Sequence, residues 1–151
     1  MSIDVTVEIV IDLPRALVAE YVMEPANEPN WIKGIVQSTP LAPGPIAKGS
    51  RVRRLAKFMG RQIDYTPEVM DLDPDRRLVM KTDKPFPMTI EYEFSDREGG
   101  TVFRQRLLGG PGGVMRLFAP LMASMVRRNI RSDMDRLRTT LEAPRSSMAQ
   151  R

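Results

Sequence analysis

VMRLFAPLMASMVRRNIRSDMDRLRTTL, Val114 to Leu141, is the stretch on which the fold turns. Val114, Leu117, Phe118, Leu121, Met122, Met125, Ile130, Met134, Leu137 and Leu141 recur at helical spacing. They predict an amphipathic helix of about 28 residues, roughly 40 Å long. Pro120 should kink or restart it, and Pro144 should end it and leave 144–151 as a flexible tail. On the other side Arg127, Arg128, Arg131, Arg136 and Arg138 mix with Asp133 and Asp135 and read as a solvated face.

Upstream of that helix the period is two. Gly109 to Gly113, GGPGG, lacks the spacing and the Lys-Ser/Thr of a phosphate loop and reads as a hinge. Before it, alternating segments punctuated by Gly34, Pro43–Gly49, Gly60, Asp73–Arg76 and Arg97–Gly100 predict strands near 35–41, 50–59, 61–71, 77–82, 86–95 and 101–108. No helical pattern interrupts them, so an antiparallel meander follows. At the N-terminus Ile3, Val5, Val7, Ile9 and Ile11 alternate with Asp4, Thr6 and Glu8 in a further half-buried strand. Asp12 can cap a short helix over Pro14–Met23, with Leu17, Val18, Tyr21 and Val22 turned inward. Pro25 and Pro29 break it, and Ala26–Lys33 forms at most a turn or two more. The class is α+β: a curved antiparallel sheet of about seven strands whose concave face only the long C-terminal helix can cover. One domain, 1–143, is expected.

Composition narrows the chemistry. The 151 residues are 42% hydrophobic and 28% charged, as in a soluble globular chain. The N-terminus carries acids rather than a basic, apolar leader, which makes a cytoplasmic location the expectation. There is no cysteine and no histidine. Thiolate and histidine catalysis, disulfides and the commonest metal ligands are therefore excluded, and neither metal nor cofactor is expected. The net charge of +4 is spread along the chain with no nucleic-acid motif, so nucleic acid is not an expected partner.

Strand parity then sorts the interior. Ile63, Tyr65 and Val69 share one face; so do Phe86, Met88, Ile90, Tyr92 and Phe94; so do Leu78 and Met80; so do Phe103, Gln105 and Leu107. In Arg51–Phe58 the less charged face is Val52, Arg54, Ala56 and Phe58, which turns Arg54 inward. A strand-end bulge or a polar ligand head group would each account for it, and an inward guanidinium needs a partner. Asn129, between Met125 and Ile130, can add an amide from the helix. No carboxylate lies on the inner face of the strands, which favours binding over acid–base catalysis. Eleven methionines suit either core filling or an adaptable pocket, with Met70, Met80, Met88, Met115, Met122, Met125 and Met134 as candidates.

VTVEIVIDLPRALVAEYVMEPANEPNWIKGI, the GSRVRR strand, EVMDLDPDRRLVMKT, FPMTIEYEFSDREGGTVFRQRL and the final helix together resemble the START/polyketide cyclase (SRPBCC) superfamily, the helix-grip fold of the birch pollen allergen. The resemblance runs over about residues 3 to 142. It implies a ligand space between sheet and helix, in proteins that carry lipids, sterols, hormones or quinones or that cyclise polyketides. It makes Trp31 mainly an anchor of the short helices near the mouth. The expected ligand is a small hydrophobic molecule, with Trp31, Arg54, Phe58, Tyr65, Met80, Phe86, Met88, Tyr92, Phe103, Gln105, Phe118, Met122, Met125 and Asn129 as the candidate lining. The alternatives are a cyclase or aromatase using Arg54 and a tyrosine, and a module that meets an acidic protein or a membrane through the basic helix face.

Overall fold

A computed structural model describes residues 3–58, 60–110 and 117–149, with the side chains of Phe58 and of 144–149 outside the description. The site assigned to Phe58, the hinge residues Pro111–Gly113 and Met115 therefore lie outside the described residues.

Strand β1, Ile3–Ile11, buries every second residue as its alternation requires. Helix α1, Arg15–Val22, follows, then a 3-10 turn at Pro25–Asn27 and α2, Glu28–Trp31. Asp12 does not cap α1. The Pro14 carbonyl receives the N–H groups of Leu17 and Val18, while the Asp12 N–H donates to Glu142 Oε2 at 2.8 Å. Val18, Ala19 and Val22 form the buried side of α1, and Leu17, expected inside, is exposed.

The strands that follow are β2 Ile35–Pro40, β3 Val52–Phe58, β4 Arg61–Tyr65, β5 Glu68–Asp73, β6 Arg77–Thr82, β7 Met88–Arg97 and β8 Gly100–Gly109. There are eight strands rather than seven, because the segment read as 61–71 breaks at Thr66–Pro67. Proline has no N–H for the ladder. The break divides the antiparallel pairing into β1-β8-β7-β6-β5 and β2-β3-β4. The two parts are joined where Arg51 bridges Glu68 and the Val69 N–H donates to the Ser50 carbonyl at 2.8 Å. Within each part consecutive strands pair, β2 to β4 and β5 to β8, and β1 closes along β8 from Ile3 opposite Gly109 to Ile11 opposite Thr101.

Helix α3 spans Ala119–Ala149 with Pro120 in its first turn, where the missing N–H costs nothing. Leu117 and Phe118 form a 3-10 turn ahead of it. Phe118 and Leu121, expected in the buried stripe, are exposed: Phe118 precedes α3, and Leu121 lies about 100° around the helix from buried Met122. The backbone stays helical past Pro144, so that residue does not end it as expected. Met122, Ile130, Met134 and Leu137 form the buried stripe of α3 and join one core cluster with β1, Trp31 and the inner faces of β5–β8. The helix lies along β1 and α2.

At Gly109 a Cβ would stand 2.1 Å from the Pro87 carbonyl oxygen, and its φ is +115°. Gly109→Ala is expected to cost more than about 2 kcal/mol in urea unfolding. Gly44→Ala, with φ +93° but no atom within 4 Å, is expected to cost about 1 kcal/mol.

Candidate ligand-binding site

The interior is organised around Arg54. Its neighbours Arg51 and Arg53 face out, Arg53 to Asp64 Oδ2 at 2.7 Å, and parity turns Arg54 in until it is 2% exposed. Its partner is Glu28 at the start of α2, 4% exposed. Arg54 Nε donates to Glu28 Oε1 at 3.0 Å and Nη2 donates to Oε2, a bidentate fork. The Ser38 hydroxyl, opposite Arg54 across β2–β3, donates to the same Oε1. The Tyr65 ring lies 6.0 Å from the guanidinium carbon, within cation–π range. Burial opposes the charge on Arg54, but Glu28 and the phenols of Tyr65 and Tyr92 outweigh it and hold its pKa well above the ordinary value. Burial pushes the Tyr92 phenol up as well, against the pull of Arg54, so it keeps its proton.

Glu28 brings the interior a carboxylate from α2, a source that the expectation about the inner faces of the strands did not cover. Parity could not reveal it, because Glu28 stands on a four-residue helix with no strand period. The signal available was the unmet demand of Arg54 for a counter-ion, together with the acidic EPANEPNW segment.

Beside this pair Trp31 is fully buried, with its ring 6.2 Å from Tyr92 and 6.1 Å from Phe103. Phe94 stacks on Phe103 at 5.0 Å. The Trp31 carbonyl accepts from Arg136 Nη1 at 3.2 Å, tying α2 to α3. Two atoms in this region are buried without a partner, the indole Nε1 of Trp31 and the amide Oε1 of Gln105.

The inner face is not uniformly sealed. Toward Phe94, Phe103, Ile130, Met134 and Leu137 every inward side chain is buried. Toward the β7 start, Ile63, Tyr65, Met88, Gln105, Leu107 and Met125 face inward yet remain half-buried. Phe86, also half-buried, sits in the bend before β7 rather than in the strand. Met80 and Met122 are buried between the two regions. Asn129 does not join them. It precedes Ile130 by one residue, roughly 100° around the helix, and is exposed. Met70 is exposed too, at the β5 bulge between Val69 and Asp71. A surface cleft of about 500 Å³ opens behind Tyr65, between Thr66 and Thr82. Another of about 370 Å³ lies between α1 and Leu141. Among the described residues no group of acidic side chains is placed to hold a metal ion.

On the far side of α3, burial raises the Asp133 carboxyl from 3.8 to about 6, although the Lys33 N–H and Arg136 act against it. The folded state therefore holds this proton more tightly than the unfolded one. The resulting stability is present below about pH 4 and lost as pH rises through about 6. Asp133→Asn is expected to raise stability by about 1–2 kcal/mol at pH 7.5, after screening and the lost Arg136 pair, and to add nothing at pH 4, as read by urea unfolding at the two pH values. Glu28→Ala, which strands a buried guanidinium, is expected to cost about 3–5 kcal/mol, and adding Arg54→Met should restore most of it.

A family described as "Polyketide cyclase / dehydrase and lipid transport" matches residues 2–142. The fold is similar to that of TTHA0849 from Thermus thermophilus (17% identity, TM-score 0.76, covering 89% of this chain and 94% of that one). It is also similar to the di-domain ARO/CYC protein BexL from the BE-7585A biosynthetic pathway (15%, TM-score 0.73, 94% of this chain and 50% of that one). A third similar structure is Ara h 8.0201 (9%, TM-score 0.68, 93% and 97%). Among curated proteins nothing matches.

Proposed function

The chain belongs to the polyketide cyclase/dehydrase and lipid transport family, and from that premise we propose that it binds a small hydrophobic molecule, such as a lipid, a polyketide-like compound or a quinone, between the sheet and α3. The observation that carries this reading is the half-buried set of inward side chains at the β7 start, Tyr65, Met88, Gln105, Leu107 and Met125, on faces that are sealed elsewhere. Apolar surface left partly open on an inner face is surface a ligand can cover, at about 25 cal/mol per Å² before association costs. The cytoplasmic setting read from the sequence is part of the same proposal.

A cyclase- or aromatase-type activity is the second reading. It is favoured by the buried phenol of Tyr92, whose O–H can donate to a developing enolate. It stands behind binding because its expected cation, Arg54, is already engaged by Glu28. Docking through the basic side of α3 ranks third. Arg136 and Arg138 lie near Asp133 and Asp135, and Arg127 donates to the Thr6 carbonyl at 3.1 Å. Among the described residues no helix is long and apolar enough to cross a membrane.

Native mass spectrometry of the purified protein is expected to retain a small hydrophobic molecule, or to take up an added neutral hydrophobic dye. Phe86→Ala and Met88→Ala should each weaken that binding roughly tenfold, about 1.4 kcal/mol, with little loss of stability. An empty protein with no dye affinity, or variants that bind unchanged, would remove this site.

A further inference from the structure

The reading above leaves the polar end of the ligand unspecified, and the buried polar groups constrain it; the inference rests on that reading. Among the described residues, Glu28 and Arg54 are the only charged residues in the buried class. Their charges cancel through two parallel hydrogen bonds, with Ser38 donating to the carboxylate as well. A ligand carboxylate brought to this cluster would have to displace Glu28 from Arg54 or lie beside it as a like charge, and either arrangement is costly in a low-dielectric interior. The interior is therefore closed to anions although it contains an arginine.

Around Tyr92 what it leaves unmet is neutral and comes in two kinds; the other unpartnered buried atom among the described residues, Arg15 Nε, belongs to a side chain on α1 that pairs with Asp96. Trp31 Nε1 can only donate, and Gln105 Oε1 can only accept. Both side chains belong to the surroundings of Tyr92. The Trp31 ring packs on it at 6.2 Å, and Gln105 stands directly opposite it across β7–β8. An unpaired buried donor or acceptor is costly, and a ligand supplying the missing partner recovers that cost.

We infer that the interior selects an uncharged hydrophobic ligand bearing both a hydrogen-bond acceptor and a donor, as an alcohol does, and that Glu28 sets this selectivity by occupying Arg54. The acceptor of the ligand meets Trp31 Nε1 and its donor meets Gln105 Oε1. Glu28 acts through Arg54 and is a specificity-determining residue, not a catalytic one.

The test is displacement of Nile red, an uncharged dye, from the full chain at pH 8 by decan-1-ol, decanoate and decane. In the unaltered protein decan-1-ol displaces the dye more effectively than decanoate. Glu28→Gln, which leaves Arg54 with an unneutralised charge, should raise decanoate affinity roughly tenfold or more while moving decan-1-ol less than about threefold. Trp31→Phe should lower decan-1-ol affinity about fivefold and leave decane unchanged. A folded Glu28→Gln protein with no selective gain for decanoate, or with equal gains for both probes, overturns the inference. Should Glu28→Gln not fold, the Trp31→Phe comparison decides, and equal effects on decan-1-ol and decane overturn it. Absence of any Nile red binding overturns the binding role itself, an outcome distinct from tight binding that ignores charge.

Discussion

A guanidinium cannot remain alone in an apolar interior, and much of this molecule follows from where Arg54 finds its counter-ion. The pair joins elements far apart in sequence. Glu28 comes from α2, Ser38 from β2, Arg54 from β3 and Tyr65 from β4, with Tyr92 of β7 close enough to feel the charge. Through it the three-stranded part of the sheet is tied to α2, and through Trp31 and Arg136 α2 is tied to α3. Breaking one partner leaves a buried charge, which is worse than having neither, so the cluster acts as a unit.

Its position also divides the interior. On one side the rings of Trp31, Tyr92, Phe94 and Phe103 pack edge-on and stacked, and α3 closes over them with Ile130, Met134 and Leu137. On the other, α3 begins only at Ala119, the sheet splits at Thr66–Pro67, and inward residues stay partly open. The polar groups stand at this boundary, where a ligand covering the open half would bring its polar end. Trp31 is thus a fold anchor by packing, and its unpaired N–H gives the same residue a means of recognition.

Legibility from sequence varied with the range of the signal. The alternation of β1, the parity of β6–β8 and the inward turn of Arg54 depend on a residue and its nearest neighbours, and each was readable. Local rules placed Asp12 as a cap and Phe118 and Asn129 on the inner side of the helix; in the fold α1 is entered at Pro14 with no side-chain cap, Phe118 precedes α3 and is exposed, and the phase of α3 turns Asn129 to solvent. Glu28 was not readable from periodicity, since nothing periodic marks a partner 26 positions away; only the demand of Arg54 for a counter-ion pointed toward it.

The sequence by itself determined the class, the order of elements apart from the break at Thr66–Pro67, the inward face of most strands and the absence of histidine and cysteine chemistry, because period and composition act through neighbouring residues. The tertiary structure alone decided which carboxylate neutralises Arg54, which polar atoms remain unpaired and which half of the inner face stays open. Those depend on how separate elements meet in space, and burial makes the meeting energetically decisive.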